Sequence, residues 1–252
     1  QEYILADHPY GRITSGSLTS IAKLKVEEAR DFYQRSLGTG NVIFAATGNF
    51  KETEMEKYAR ALLSALPGQG IALHSIDNPE FAKGRELLIV TKPDRTQSQI
   101  YIGARGIPYS HPNYHGLLVA NHIFGGGSFS AWLMKEVREK RGWSYGAYGG
   151  FRMARAPLYY SMHTTPSNKD TVGATRLMIQ LFEKFAKKGV SKEEFEFAKK
   201  SLVNQSAFQQ DTPKKRLNNI VSEKLLGLPR GFYASFQENL RKFDVSPQSF
   251  GI

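Results

Sequence analysis

The chain has 252 residues, 40% of them hydrophobic, which is enough for two modest domains with cores of their own. It has no cysteine, so disulfides, thiolate nucleophiles and cysteine-ligated metals are excluded, while periplasm and cytoplasm both stay open as its compartment. No apolar run approaches the roughly 18 to 20 residues that a membrane span needs.

Residues 1–20 are polar and turn-rich, with Pro9, Gly11 and Gly16 as breakers. A helix is expected over Val26–Ser36, with Val26, Ala29, Phe32 and Tyr33 on one face. Asn41–Thr47, NVIFAAT, reads as a buried strand closed by Gly48. Glu52–Leu66 reads as a second helix, ended by Pro67 and Gly68. Gly68, Gly70, Asn78, Pro79 and Gly84 mark a linker over 68–84.

Beyond the linker, Arg85–Thr91 and Gln99–Ile107 alternate as strands around a Pro93–Ser98 turn and are expected to pair as a hairpin. A buried helix over Tyr114–Phe124 is stopped by the glycine run Gly125, Gly126, Gly127. An amphipathic helix follows, with Trp132, Leu133 and Val137 on one stripe and Arg138 shown to the other side. Gly142 stands where a C-terminal cap belongs, and Lys140 and Arg141 in the last turn suit the helix dipole. Tyr145–Met153 and Leu158–Thr164 then form a second hairpin. Helices over 169–188, 192–210 and 213–226 follow, the second opened by a Ser191–Glu194 capping box and the third by Pro213. A short helix near Tyr233–Phe243 precedes a polar end. Two hairpins interleaved with helices point to an α+β fold, an antiparallel sheet with helices packed on one face.

Charge is uneven along this order. Residues 1–84 carry 9 Lys and Arg against 10 Asp and Glu, and residues 85–252 carry 25 against 13, so the later part is net +12. Such a field draws acidic partners or nucleic acid, and it is equally what a helix-rich solvated surface shows. Without interleaved aromatic and basic motifs, a nucleic-acid partner is not expected.

The usual catalytic motifs are missing. Neither H-x-x-E-H nor H-E-x-x-H occurs. His111, His115 and His122 are the nearest cluster, but no glutamate lies between Glu86 and Glu136 to act as base, and helix-start and core roles suit these histidines better. The Gly125–Ser128 run, GGGS, before a helix resembles a phosphate cradle, yet it lacks the Lys-Ser/Thr ending and the preceding strand. The same glycines allow either a close approach to an extended peptide backbone or a tight connection between helices.

Gly125–Gly127, Phe129, Leu133, Glu136, Val137, Arg138, Glu139, Arg141, Gly142 and Tyr145 together resemble the second-domain signature of the pitrilysin or insulinase family of zinc metallopeptidases, which includes the mitochondrial processing peptidases. The resemblance implies that residues 1–67 are the C-terminal part of a first domain and 85–252 a second domain, truncated at its C-terminus. It implies that Arg138 and Tyr145 hold a substrate carbonyl across from the zinc site of another half, with Gly125, Gly126, Gly127 and Ser128 near the substrate. An isolated arginine and tyrosine are otherwise a surface charge and a half-buried ring. As donors to an oxyanion each is worth about 2.7 to 4 kcal/mol. The resemblance further implies no cofactor in this chain and no hydrolysis by it alone. Zinc would come from a homologous partner subunit, as a heterodimer, or from an N-terminal portion outside this sequence. Peptide or unfolded protein is the expected substrate, and a noncatalytic peptide-binding or assembly role is the alternative.

Overall fold

The computed structural model describes residues 2–5, 8–72, 76–81 and 84–243. Among them the helices are α1 (Glu2–Leu5), α2 (Leu18–Ile21), α3 (Val26–Ser36), α4 (Glu52–Ser64), α5 (Tyr114–Asn121), α6 (Thr171–Lys188), α7 (Lys192–Ala207), α8 (Pro213–Leu226) and α9 (Phe236–Lys242). The strands are β1 (Ile100–Arg105), β2 (Ala147–Met153) and β3 (Pro157–Thr164). Parts of the expected linker, at 73–75, 82 and 83, and the polar end beyond 243 lie outside the described residues. The chain divides into two compact units, Gln1–Asp77 with Gln210–Arg230, and Asn78–Gln209 with Gly231–Ile252.

In the first unit, α3 starts on the Glu28 carboxylate, which accepts the Lys25 backbone N–H at 2.8 Å, and carries Glu27 and Glu28 in its first turn, where the helix dipole favours acids. Asn41 ties the segment after α3 to the one after α4: its amide donates to the carbonyls of Ser36 and Ile71 and its oxygen accepts the Gly38 N–H at 3.0 Å. The two segments touch so closely at Gly38 that an added Cβ would stand 2.0 Å from the Gly70 nitrogen. The strand expected at Asn41–Thr47 is not formed, and Ile43 and Phe44 are exposed. A strand exists only where a neighbour takes up its N–H and C=O groups, and among the described residues none lies alongside.

The second unit is built on a three-stranded antiparallel sheet in the order β1-β3-β2. The second hairpin forms as expected, with Ala147 opposite Thr164 and Gly150 opposite Ser161, and a bulge between Phe151 and Met153. The first hairpin does not. The partner of β1 is β3, from Ile100 opposite Thr164 to Arg105 opposite Tyr159, and the Pro93–Ser98 segment continues that pairing through Ser98 to Pro166 and Asn168 to Thr96. Arg85–Thr91 is left without a ladder, with Leu87 79% and Ile89 75% exposed.

One face of this sheet is covered. Leu158, Tyr160, Met162 and Thr164 of β3 are buried while Tyr159, Ser161 and His163 between them are only half-buried, the alternation of a sheet with one face packed and one free. Ala147, Tyr160 and Met162 join Val119, Phe124, Leu133, Val137, Met178 and Phe185 in one apolar core. Burying a valine, leucine, methionine or phenylalanine there stabilises the fold by about 1.5 to 3 kcal/mol each. The helix starts are set locally. Ser191 Oγ accepts the Glu194 N–H at 3.1 Å and the Glu194 carboxylate accepts the Ser191 N–H at 2.9 Å, the reciprocal box expected at the head of α7. Glu194 also accepts from Trp132 Nε1 at 2.7 Å, which binds α7 to the helix that carries Arg138.

Candidate functional site

The glycine run is a packing device. After α5 the helix widens to a π turn over His122–Gly126, and an added Cβ on Gly125 would stand 2.4 Å from the Gly149 nitrogen of β2. On Gly127 it would stand 2.4 Å from the His122 carbonyl, and on Gly126 2.7 Å from the Asn121 amide. The close approach that these three glycines permit is thus to the chain's own atoms. Gly126 and Ser128 remain exposed, and Ser128 takes the left-handed region at φ 53°, alone among the described non-glycine residues.

A short helical turn at Ser128–Ser130 then redirects the chain into the next helix. This helix buries Leu133, Met134 and Val137 and widens over Met134–Glu139, where the Lys140 N–H reaches back to the Lys135 carbonyl at 3.0 Å. Single π turns of this kind recur at functional sites, because the extra residue turns side chains that a regular helix would aim elsewhere. Gly142 closes the helix at φ 63°.

Entry into β2 is fixed by hydrogen bonds. Ser144 Oγ donates to the Gly146 carbonyl at 3.0 Å and accepts the Thr165 N–H at 3.2 Å, and Thr164 Oγ1 donates to the same Gly146 carbonyl at 2.8 Å. Backbone held on both sides of it presents Tyr145 outward, 83% exposed.

Arg138 and Tyr145 meet there. The guanidinium carbon of Arg138 lies 4.4 Å from the Tyr145 ring centroid and 4.8 Å from that of Phe129, so two rings hold the faces of the cation. Each contact contributes about 0.5 to 1 kcal/mol at a site this open, and together they restrict the rotation of a long side chain. Among the described residues, neither the Arg138 N–H groups nor the Tyr145 hydroxyl has a hydrogen-bond partner. Glu136, two residues before Arg138, is engaged elsewhere. Glu136 pairs with Lys140 at 2.6 Å and with Arg141 at 2.7 Å, and these hydrogen bonds hold its carboxyl below the usual glutamate range. Arg138 is therefore a cation with two rings against it and its N–H donors open, beside an open phenol. Sequence reasoning had Phe129 only as a motif position. Its place nine residues before Arg138, across the bend at Ala131, was the one signal that it packs on the arginine.

No set of three His, Asp or Glu side chains able to hold a metal lies together among the described residues. His111 Nδ1 accepts the Asn113 N–H at 3.1 Å. His115 packs among Tyr114, Phe232 and Phe236, and burial lowers its pKa, as burial also does for His122. These three histidines do not fit a zinc site.

A family model described as peptidase M16 inactive domain matches residues 23–202. A curated relative called non-peptidase homolog YmxG, from Helicobacter pylori, is 22% identical over 97% of this chain and 56% of its own length. An uncharacterized zinc protease of Streptomyces coelicolor is 28% identical over 58% of this chain and 32% of its own. The chain spans about half the length, or less, of these curated relatives. Among solved structures, a peptidase M16 inactive domain from Pseudomonas fluorescens superimposes with a TM-score of 0.84 at 26% identity, over 98% of this chain and 58% of that one. A protease from Helicobacter pylori superimposes at 0.78 and 14% identity, covering 95% of this chain and 58% of that one, which speaks to fold alone.

Proposed function

Since the chain belongs to the peptidase M16 inactive-domain family, we propose that it is the half of a composite peptidase site that binds substrate without binding zinc. Arg138 and Tyr145 donate to the carbonyl oxygen of an extended peptide as the carbonyl becomes tetrahedral. The observation that carries this reading is the Arg138–Tyr145 contact at 4.4 Å, with the polar edges of both side chains open. Preorganised donors of this kind lower a barrier because they need not reorganise as charge develops on the oxygen. Phe129 keeps the guanidinium in that orientation, and the exposed Gly126 and Ser128 form the adjacent wall against the peptide.

Zinc, its bound water and the general base come from a homologous zinc-bearing subunit or from a portion of the protein outside this sequence. In that arrangement residues 1–67 complete a first domain, and 68–84 links it to the second. The test is hydrolysis of a quenched fluorescent peptide by this chain alone and mixed with a zinc-bearing homologue. Activity is expected only in the mixture. Zinc-dependent hydrolysis by the isolated chain would end the proposal.

A noncatalytic role has one specific observation in its favour, the description of the Helicobacter relative as a non-peptidase homolog. In that role the same face captures peptide or a partner without chemistry. Arg138→Ala that weakens peptide capture but leaves a reconstituted hydrolysis rate unchanged would favour it.

A further inference from the structure

The free face of the sheet carries three rows of side chains in register, one residue per strand. Tyr101, His163 and Tyr148 form the first, with ring centroids 5.3 Å and 5.9 Å apart and planes within 20° of parallel. Rings stacked across strands in this way stand up from the sheet as a wall rather than lying flat on it, and Tyr101 is 65% exposed. The second row is Gly103, Ser161 and Gly150, almost without side chains. The third begins with Arg105 opposite Tyr159, and Arg152 is exposed at the bulge beyond.

The middle row is therefore the floor of a trough across three strands. Its walls, four residues apart along β1, stand about 13 Å apart at the usual rise per residue. Gly150 is unexplained by the chain itself. Its backbone has no positive φ, and an added Cβ would meet nothing within 4 Å. A glycine in a strand interior weakens the strand, and one that serves neither a turn nor internal packing marks a place where another backbone comes close.

The charge on this face is of one sign. None of the three rows contains an acid, and Arg105 has no acceptor among the described residues. Arg105 also lines a cavity of about 540 Å³ with Arg155, His111 and Ser110, and no carboxylate among the described residues lines it. His111 accepts a backbone N–H on Nδ1, which puts the proton of its neutral ring on Nε2 as a further donor.

We propose that this trough seats an extended peptide segment against the stacked rings and that a carboxylate on that segment is taken up by Arg105 at the edge of the basic cavity. This rests on the peptide-binding reading above and names its substrate class, an acidic peptide. The carboxylate is either a side chain or the C-terminus.

The test uses the full chain and fluorescence anisotropy of labelled peptides of roughly eight residues, long enough to cross the sheet at about 3.4 Å per residue. One peptide carries a central Glu with an amidated end, one a Gln with an amidated end, and one the Gln with a free C-terminus. Binding of a carboxylate-bearing peptide is expected to be about tenfold tighter than that of the uncharged one, from a single charge-assisted hydrogen bond. Whichever of the two charged peptides shows the gain identifies the source. Arg105→Gln is expected to abolish the gain and leave the uncharged peptide unchanged. Gly150→Val, whose Cβ would meet nothing within 4 Å, is expected to weaken all three; circular dichroism checks its fold. Equal binding of charged and uncharged peptides, or no effect of either substitution, overturns the proposal. The Arg138 reading then still stands or falls on hydrolysis by the reconstituted pair. Failure of every peptide to bind overturns the trough proposal as well.

Discussion

Gly125 and Gly149 meet backbone to backbone, so that a methyl group added to Gly125 would lie 2.4 Å from the Gly149 nitrogen and 2.6 Å from its Cα. This contact seats the π turn after α5 directly on β2 and sets the height from which the Arg138 helix starts. Backbone cannot yield as a flexible side chain can. Gly125→Ala is expected to lower stability by about 1 to 3 kcal/mol, the usual cost of overpacking, whereas Gly150→Ala is expected to leave it nearly unchanged. Chemical denaturation of the two variants checks the contrast.

Trp132 joins the Arg138 helix to α7 through its indole N–H and the Glu194 carboxylate, 2.7 Å apart. Trp132→Phe keeps the packing against Phe185 and removes the donor. A loss of about 1.5 to 3 kcal/mol is expected, the range for a hydrogen bond to a charged group. A melting shift no larger than that of a neutral surface substitution would show the bond to be worth little.

Glu136 pairs with Lys140 and Arg141, and its pKa in the folded chain is lowered from 4.5 by those hydrogen bonds. A depressed carboxylate stabilises the fold above its unfolded pKa, and that contribution is lost as pH falls below 4.5 through the folded value. Glu136→Gln is therefore expected to lower the melting temperature at pH 7 and to converge with the parent as the pH falls from 4.5 through the lowered folded-state value. A difference that persists unchanged into acid would assign the effect to packing.

Phe129 is the second ring against Arg138, with its centroid 4.8 Å from the guanidinium carbon. Phe129→Ala is expected to lower kcat of a reconstituted peptidase about tenfold while KM changes little, because a freely rotating guanidinium still binds but no longer waits in place for the developing charge. Phe129→Tyr, which keeps the ring face, is expected to restore most of the rate. Loss of folding in place of loss of rate would make Phe129 structural.

What was legible in the sequence was what local chemistry decides. The capping box at Ser191 and Glu194, Pro213 at the start of α8, and the β2–β3 hairpin each rest on residues close in the chain, and each forms. The α+β class followed from their order. The pairing of β1 with β3 was not legible, because it joins residues some sixty apart and nothing between Ile100 and Thr164 advertises it. Arg85–Thr91 reads as a strand by its apolar run, but only a neighbour makes a strand, and it has none among the described residues. The Arg138 motif is written in the sequence from Gly125 to Tyr145. Its contact with Tyr145 depends on a π turn that no residue pattern announces, and the packing role of the three glycines depends on Gly149 and on Asn121 and His122.

The central claim, that Arg138 and Tyr145 act together on a substrate carbonyl, is tested most directly by a double-mutant cycle in the reconstituted peptidase. Arg138→Ala and Tyr145→Phe are each expected to lower kcat by about 10² to 10³, and the double variant to fall well short of the product of the two. Unchanged kcat in both single variants, with the mixture folded and active, would contradict it.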